Sequence, residues 1–194
     1  MKNLFACVVL FAVLTVLTGM VYPAAVTAVS YCLFSEKAHG SMIRVNNVTT
    51  GSRLIGQKFS SPAYFWSRPS ASDYGTLPSS GSNLGPISAA LKQQVDERKK
   101  NLASYFSGTI PADLLLASGS GLDPEISPED ALAQSEHVAK ARGLSVSEKE
   151  RLTGLVKDKT RSPQWHIFGS PRVNVLELNI ELDQRFPLNR SRGQ

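Results

Sequence analysis

The chain has 194 residues, 42% of them apolar and 19% charged, with a net charge of +5 at pH 7. That length suits one membrane segment and one soluble domain, and the composition excludes both a disordered chain and a multi-span membrane protein. The basic residues are scattered, grouped only at Arg98-Lys99-Lys100 and at Arg185, Arg190 and Arg192. With no interleaved aromatics or groove-reading motif they read as solvated faces, and nucleic acid is set aside as a partner.

No charged side chain lies between Leu4 and Ser35, and residues 4–21 are almost wholly apolar. That is enough to cross a hydrocarbon core of about 30 Å. A secretory signal peptide is the competing reading, with Lys2 as its basic end and Val26-Thr27-Ala28 as a small-residue cleavage site. The apolar run exceeds a signal-peptide core and resumes at Val29, Tyr31, Leu33 and Phe34, which favours an uncleaved anchor over residues 1–35. Lys2 on one flank and Lys37 and Arg44 on the other leave the orientation open. Cys7 and Cys32 would lie about 37 Å apart in a helix and cannot pair, and the rest of the chain has no cysteine, so there is no disulfide framework. Gly19, Pro23 and Thr27 fall on one helical face, as do Ala24 and Ala28, offering a close approach to another helix. Pro23 also leaves the Gly19 carbonyl without its donor, so a kink or another donor must compensate.

Residues 36–194 are expected to form a single α+β soluble domain, loop-rich over 36–87, helical over 88–160, with a C-terminal segment at 172–183. Residues 36–52 read as loop with short extended pieces, and residues 53–56 and 63–66 as short strands between breakers. Residues 67–87, rich in Ser, Gly and Pro, form a long loop suited to interaction. From Ser88 a helix is expected, with Leu91, Val95, Leu102 and Phe106 as its apolar stripe. Ser127 caps a second helix, with Pro128 at its first position, Asp130 as the capping acid and Gly143 as its stop. Ser147 and Glu150 have capping-box spacing for a third, whose stripe is Leu152, Leu155 and Val156 and which ends before Pro163. Leu176, Leu178, Ile180 and Leu182 alternate as in a strand, while Asn174 and Glu177 are spaced as a helix cap; helix is preferred.

Catalytic and metal chemistry find no pattern. His39, His137 and His166 are isolated from any ligand spacing and read as surface residues. Gly119-Ser120-Gly121 is neither a nucleophile elbow nor a P-loop. Two glycine-rich turns remain, one with Ser82 and Asn83, the other with Ser118, Gly119, Ser120, Gly121 and Asp123. Their amides could hold an anion or serve a partner interface; otherwise glycine supplies positive φ and proline punctuates the chain. Asp123, Glu125, Glu129 and Asp130 could be drawn as a cation site, but an acidic first turn explains the last two.

Taken in order, Gly19-Met20-Val21-Tyr22-Pro23, Gly40-Ser41-Met42-Ile43, Leu54-Ile55-Gly56-Gln57, Tyr64-Phe65-Trp66-Ser67-Arg68-Pro69-Ser70-Ala71, Gly81-Ser82-Asn83-Leu84, Ala117-Ser118-Gly119-Ser120-Gly121-Leu122-Asp123, Val138-Ala139-Lys140-Ala141-Arg142 and Val173-Asn174-Val175-Leu176-Glu177-Leu178-Asn179 resemble the KdpC family. This is the C subunit of the bacterial Kdp potassium-transporting ATPase. Glu125 stands where many relatives carry His, which argues against shared histidine chemistry there. The resemblance implies a single-pass protein of the bacterial inner membrane with a periplasmic domain and no catalysis or cofactor of its own. Its implied partners are membrane lipid, a channel-like potassium-binding subunit, a P-type ATPase subunit that hydrolyses ATP, and a small stabilising subunit. It also implies an influence on ATP use, which an outward domain would exert only as a coupling between conformations. Gly19, Tyr22, Pro23 and Thr27 are the expected packing residues of the span. Two readings from other classes stay open on the residues alone: a secreted ligand-binding or hydrolytic domain released near Ala28, and a nucleotide-binding protein using the glycine-rich turns.

Overall fold

The computed structural model describes residues 2–188, and the chain divides into two compact units, residues 1–50 and 51–194. The first is dominated by a helical run, Lys2–Leu33, of mean hydropathy 2.7, long and apolar enough to cross a membrane. Pro23 prevents it from being one uniform helix, because proline has no N–H to donate and its ring crowds the preceding turn. Helix α1 (Lys2–Val16) passes into a π-helical turn, Leu17–Val21, before α2 (Tyr22–Leu33). The Tyr22 N–H reaches back five residues to the Leu17 carbonyl. A π turn of this kind, one of the recognised causes of helix distortion, is the compensation that Pro23 demands. A short α3 (Ser35–Ala38) follows, and then β1 (Met42–Val45) and β2 (Val48–Ser52) pair as a two-stranded sheet. Their connection, Asn46-Asn47, has both residues at positive φ, as a tight two-residue hairpin requires. These two strands fall where short extended pieces are expected within residues 36–52.

The second unit holds α4 (Ala89–Leu102), α5 (Ala112–Leu115), β3 (Glu125–Ile126), α6 (Pro128–Arg142), α7 (Val146–Lys159), β4 (Val173–Asn174) and α8 (Val175–Arg185). β3 and β4 run antiparallel with Ile126 opposite Val173. The local signals place α6 well: Ser127 accepts from the Asp130 N–H, Pro128 opens the helix and Gly143 closes it in the left-handed conformation. Asp130 departs from its expected role; its side chain turns inward, and the Ser127 N–H donates to Asp113 at 2.9 Å instead. Helix α7 starts two residues earlier than expected, on a complete capping box of Ser145 and Glu148. The sequence carries two overlapping boxes, Ser145/Glu148 and Ser147/Glu150, and the first is used. The C-terminal segment is helical, with the Asn174 side chain accepting from the Glu177 N–H at 3.0 Å. Helix α4 ends before Phe106, and none of its residues is fully buried. Arg98 from its basic run donates to the Leu115 carbonyl, and Arg185 bonds Glu181; Arg190 and Arg192 lie outside the described residues.

The core joins Val138 and Ala139 of α6, Leu152, Leu155 and Val156 of α7, Leu178 and Leu182 of α8, the β3/β4 pair and Phe65. Residues 53–56 and 63–66 are irregular rather than strands. The reason lies in who supplies their hydrogen bonds. Buried Asn179 of α8 accepts from the Phe65 N–H and donates to its carbonyl, each at 2.9 Å. Gln134 of α6 does the same for Trp66 at 2.7 and 3.1 Å. Asn174 donates to the Arg53 carbonyl at 2.8 Å, and the Gly56 N–H donates to Leu122. Side-chain amides on helices stand in for a neighbouring strand, which satisfies buried backbone without a ladder.

Candidate functional site

The glycine-rich turns that are separate in sequence meet in space. At Gly81 a side-chain carbon would lie 2.7 Å from the Gly119 carbonyl oxygen, and at Gly121, where φ is +73°, it would lie 2.7 Å from the Ser80 carbonyl. Both positions therefore require glycine for close approach. Residues 68–74 form the third wall: the Ser118 N–H donates to Pro69, Tyr74 donates its hydroxyl to the Arg68 carbonyl, and the Ser70 hydroxyl accepts from the Tyr74 N–H. Burial and the nearby Asp73 push the Tyr74 phenol up to about 12. Ser118 is buried, Ser82 is half-buried, and Gly119, Ser120 and exposed Asn83 sit at the surface of the cluster, Asn83 at positive φ. The structure thus brings Ser118, Gly119, Gly121 and the turn carrying Ser82 and Asn83 into one packed assembly.

Arg68 joins this assembly to the start of α6. It pairs with Asp123 at 3.2 Å and approaches Asp113 at 3.9 Å, while Asp123 also accepts from the Glu125 N–H. A cleft of about 650 Å³ opens beside it, with Arg68, Asp113, Asp123, Glu125 and Arg172 as its charged lining. Arg172 pairs with Glu125 at 3.1 Å, so the two arginines are matched by acids across the cleft. Glu125 is therefore an ion-pair partner at the end of β3. No group of three or more His, Cys, Asp or Glu that could hold a metal occurs among the described residues.

Below this layer the inner face of α6 carries Asp130, Gln134 and His137, all buried. Asp130 accepts one bond, from Gln134 at 3.1 Å, and its other oxygen has no partner. Burial raises its carboxyl to about 7; Asp113 adds to the rise, and Gln134 and Arg68 oppose it. His137 is not the surface residue expected. It stacks on Trp66 with centroids 4.4 Å apart and meets Tyr105 and Phe106 edge-on. Neither ring nitrogen makes a hydrogen bond of ordinary geometry, and burial pulls the imidazole down to about 4, with the nearby Tyr64 backbone opposing the fall. Sequence reasoning missed this face because it assigned Asp130 to the helix cap and His137 to the surface, and gave Gln134 no role. The clue was the segment opposite, where Gln134 holds both backbone groups of Trp66 and His137 stacks on its ring.

In the helical run, Gly19 lies inside the π turn, Tyr22 and Pro23 open α2, and Thr27 follows one turn later. All four are exposed, and nothing lies within 4 Å of where a side-chain carbon on Gly19 would be. Cys7 and Cys32 are free.

Against known proteins, residues 4–184 match the family model described as KdpC, K+-transporting ATPase, c chain. Several relatives carry the name potassium-transporting ATPase KdpC subunit. That of Paraburkholderia phytofirmans is 48% identical over 95% of this chain and 98% of its own length. That of Dechloromonas aromatica is 48% identical over 94% and 98%, and that of Rhodospirillum rubrum 47% over 97% and 98%. The likeness spans the apolar helix, the glycine-rich turns and the core helices alike, and on it the chain belongs to the KdpC family.

Proposed function

We propose that this protein is a non-catalytic accessory subunit of an ATP-driven potassium importer, anchored by one transmembrane helix and carrying a periplasmic α+β domain. Its partners are the channel-like potassium-binding subunit, the P-type ATPase subunit and the small stabilising subunit, and it supports their assembly and their use of ATP. The observation that carries this reading is the match over residues 4–184 to a family whose members are named as subunits of a potassium-transporting ATPase. The glycine-rich turns favour a structural over a nucleotide-binding role, since Gly81 and Gly119 are pressed together rather than held open around an anion. ATP then belongs to the complex, and this subunit acts on it through coupled conformations.

A tagged full chain purified from native membrane in mild detergent will bring the channel-like and ATPase subunits with it; recovery of neither would overturn the accessory reading. The outward orientation is tested separately with Ser107→Cys, an exposed position in the soluble unit. It will react with a membrane-impermeant reagent in cells whose outer membrane is permeable, and reaction only after lysis would reverse the topology. A domain of this size translocates largely regardless of nearby charge.

A further inference from the structure

Between α7 and β4 the chain makes a protruding hairpin. Arg161 and Arg172 exchange backbone bonds at its base, and Gln164 and Phe168 exchange them near its tip. The tip exposes Trp165 at 84%, Ile167 at 76% and Phe168 at 59%, with Trp165 and Phe168 edge-to-face at 5.9 Å. Three large apolar side chains together at a turn are unlike the single exposed leucines that any surface carries. We propose that this hairpin tip is a shallow membrane-docking element that seats Trp165, Ile167 and Phe168 in the interfacial layer of a lipid bilayer.

Three observations favour lipid over other occupants. The first is backbone bonding: the His166 N–H donates to Pro163, the Ile167 N–H to Gln164 and the Phe168 N–H to Gln164, while Gln164 donates to Phe168. Pro163 and Pro171 have no N–H at all, so the tip takes few open donors into an apolar layer, where each would be costly. The second is charge. From Thr160 to Leu176 there is no carboxylate, whereas Arg161, His166 and Arg172 lie in this stretch. The base arginines are held by Glu177 and Glu125, so the charged groups stay at the hairpin's foot and the uncharged tip meets a headgroup layer of anionic or neutral lipid without burying a carboxylate. The third is supply: the same chain carries a helix able to cross a membrane, which keeps a bilayer within reach at high effective concentration. Tryptophan beside aliphatic residues is the composition that settles at membrane interfaces.

The test uses the full chain in nanodiscs of phosphatidylcholine and phosphatidylglycerol, with and without acyl chains brominated near the headgroup. Bromine quenches only fluorophores that touch it, and Trp165 is to be compared with a Trp165→Phe variant so that the Trp66 signal is subtracted. The Trp165 emission is expected to be blue-shifted and to fall in the brominated discs relative to the unbrominated ones, as for an indole seated at the interface. Ile167→Asp is expected to abolish this quenching while leaving the circular dichroism spectrum unchanged. Trp165 emission that is insensitive to bromine and fully open to aqueous iodide would overturn the proposal. So would emission shielded from iodide only after the partner subunits are added, again without bromine quenching, because the tip would then dock on protein.

Discussion

A single buried amide decides how one wall of the soluble unit is held. Asn179 is 2% exposed and supplies both hydrogen bonds to the Phe65 backbone, while Phe65 itself is fully buried in the core. Arg142 works the same way at the edge of that wall. Its guanidinium donates to the carbonyls of Ala63 and Phe186 and to Asp183, at 2.7, 2.6 and 2.7 Å, and lies over the Tyr64 ring. Neither is replaceable by a side chain of similar bulk, because what is lost is the partner of a backbone group that has no water to turn to. Asn179→Leu keeps the volume but strands one N–H and one carbonyl, each worth about 1–3 kcal/mol when buried and unpaired. The expected destabilisation is therefore about 2–6 kcal/mol, seen as a fall in Tm of roughly 4–24 °C for a chain of this length. Thermal unfolding of the full chain in mild detergent, followed by circular dichroism, measures it, with exposed Gln93→Leu as the control expected to stay within about 0.5 kcal/mol. A Tm for Asn179→Leu equal to that control would mean Phe65 is held by packing alone.

Among the elements, α6 combines the clearest sequence signature with the least expected surface. Its caps, and the apolar stripes of α7 and α8, were legible because capping and helical periodicity are local. The segment it packs against was not: Phe65 and Trp66 find their hydrogen-bond partners 114 and 68 residues away, on Asn179 and Gln134. Residues 63–66 therefore carry the extended, aromatic pattern of a strand without a strand beside them, and β3 and β4, two residues each, are too short for alternation to register. The glycine-rich turns were visible as motifs, but not their mutual contact, which depends on Gly81 and Gly119 meeting across the fold. The polar face of α6 has a consequence for pH. Asp130, facing Gln134, Asp113 and Arg68, has its pKa raised to about 7, so its contribution to stability is complete below the ordinary carboxylate range and is lost as pH rises through 7. His137 faces the rings of Trp66, Tyr105 and Phe106 and lines a cleft shared with Glu136 and Lys140, and its pKa is lowered to about 4. Its contribution is complete above the ordinary imidazole value and is lost as pH falls towards 4. The two slopes oppose one another over pH 4 to 6.5. Asp130→Asn is expected to leave the histidine slope alone, making the protein more acid-labile than the parent over that window and relatively more stable at pH 8. Parallel Tm-against-pH curves for the variant and the parent would refute this assignment.

At the scale of the whole molecule, the helical run Lys2–Leu33 has no fully buried residue, and Gly19 has open space where a side chain would begin. A lone helix in lipid has no need of a glycine at that point, since glycine there costs helix stability relative to alanine. The π turn that accommodates Pro23 also contains Gly19, so the backbone is most approachable where the hydrogen-bonding pattern is already altered. From this follows the expectation that another subunit's helix packs there, along the line of Gly19, Pro23 and Thr27, with Tyr22 at its edge. Gly19→Leu places bulk on that line, where a side-chain carbon meets nothing within 4 Å, so its effect reads out partner contact; overfilling a tight contact costs about 1–3 kcal/mol. Leu10→Ile, nine residues earlier and on roughly the opposite side at 3.6 residues per turn, is the volume-conserving control on a face expected to meet lipid. At equal expression, Gly19→Leu should lower recovery of the large subunits with the tagged chain and slow growth at very low potassium, while Leu10→Ile leaves both unchanged. Gly19→Ala should fall between them, because a methyl group fills less of the contact than an isobutyl group. Equal recovery and growth for Gly19→Leu and the parent would mean that the glycine serves only to let the π turn form, and the packing surface would have to be sought elsewhere on the helix.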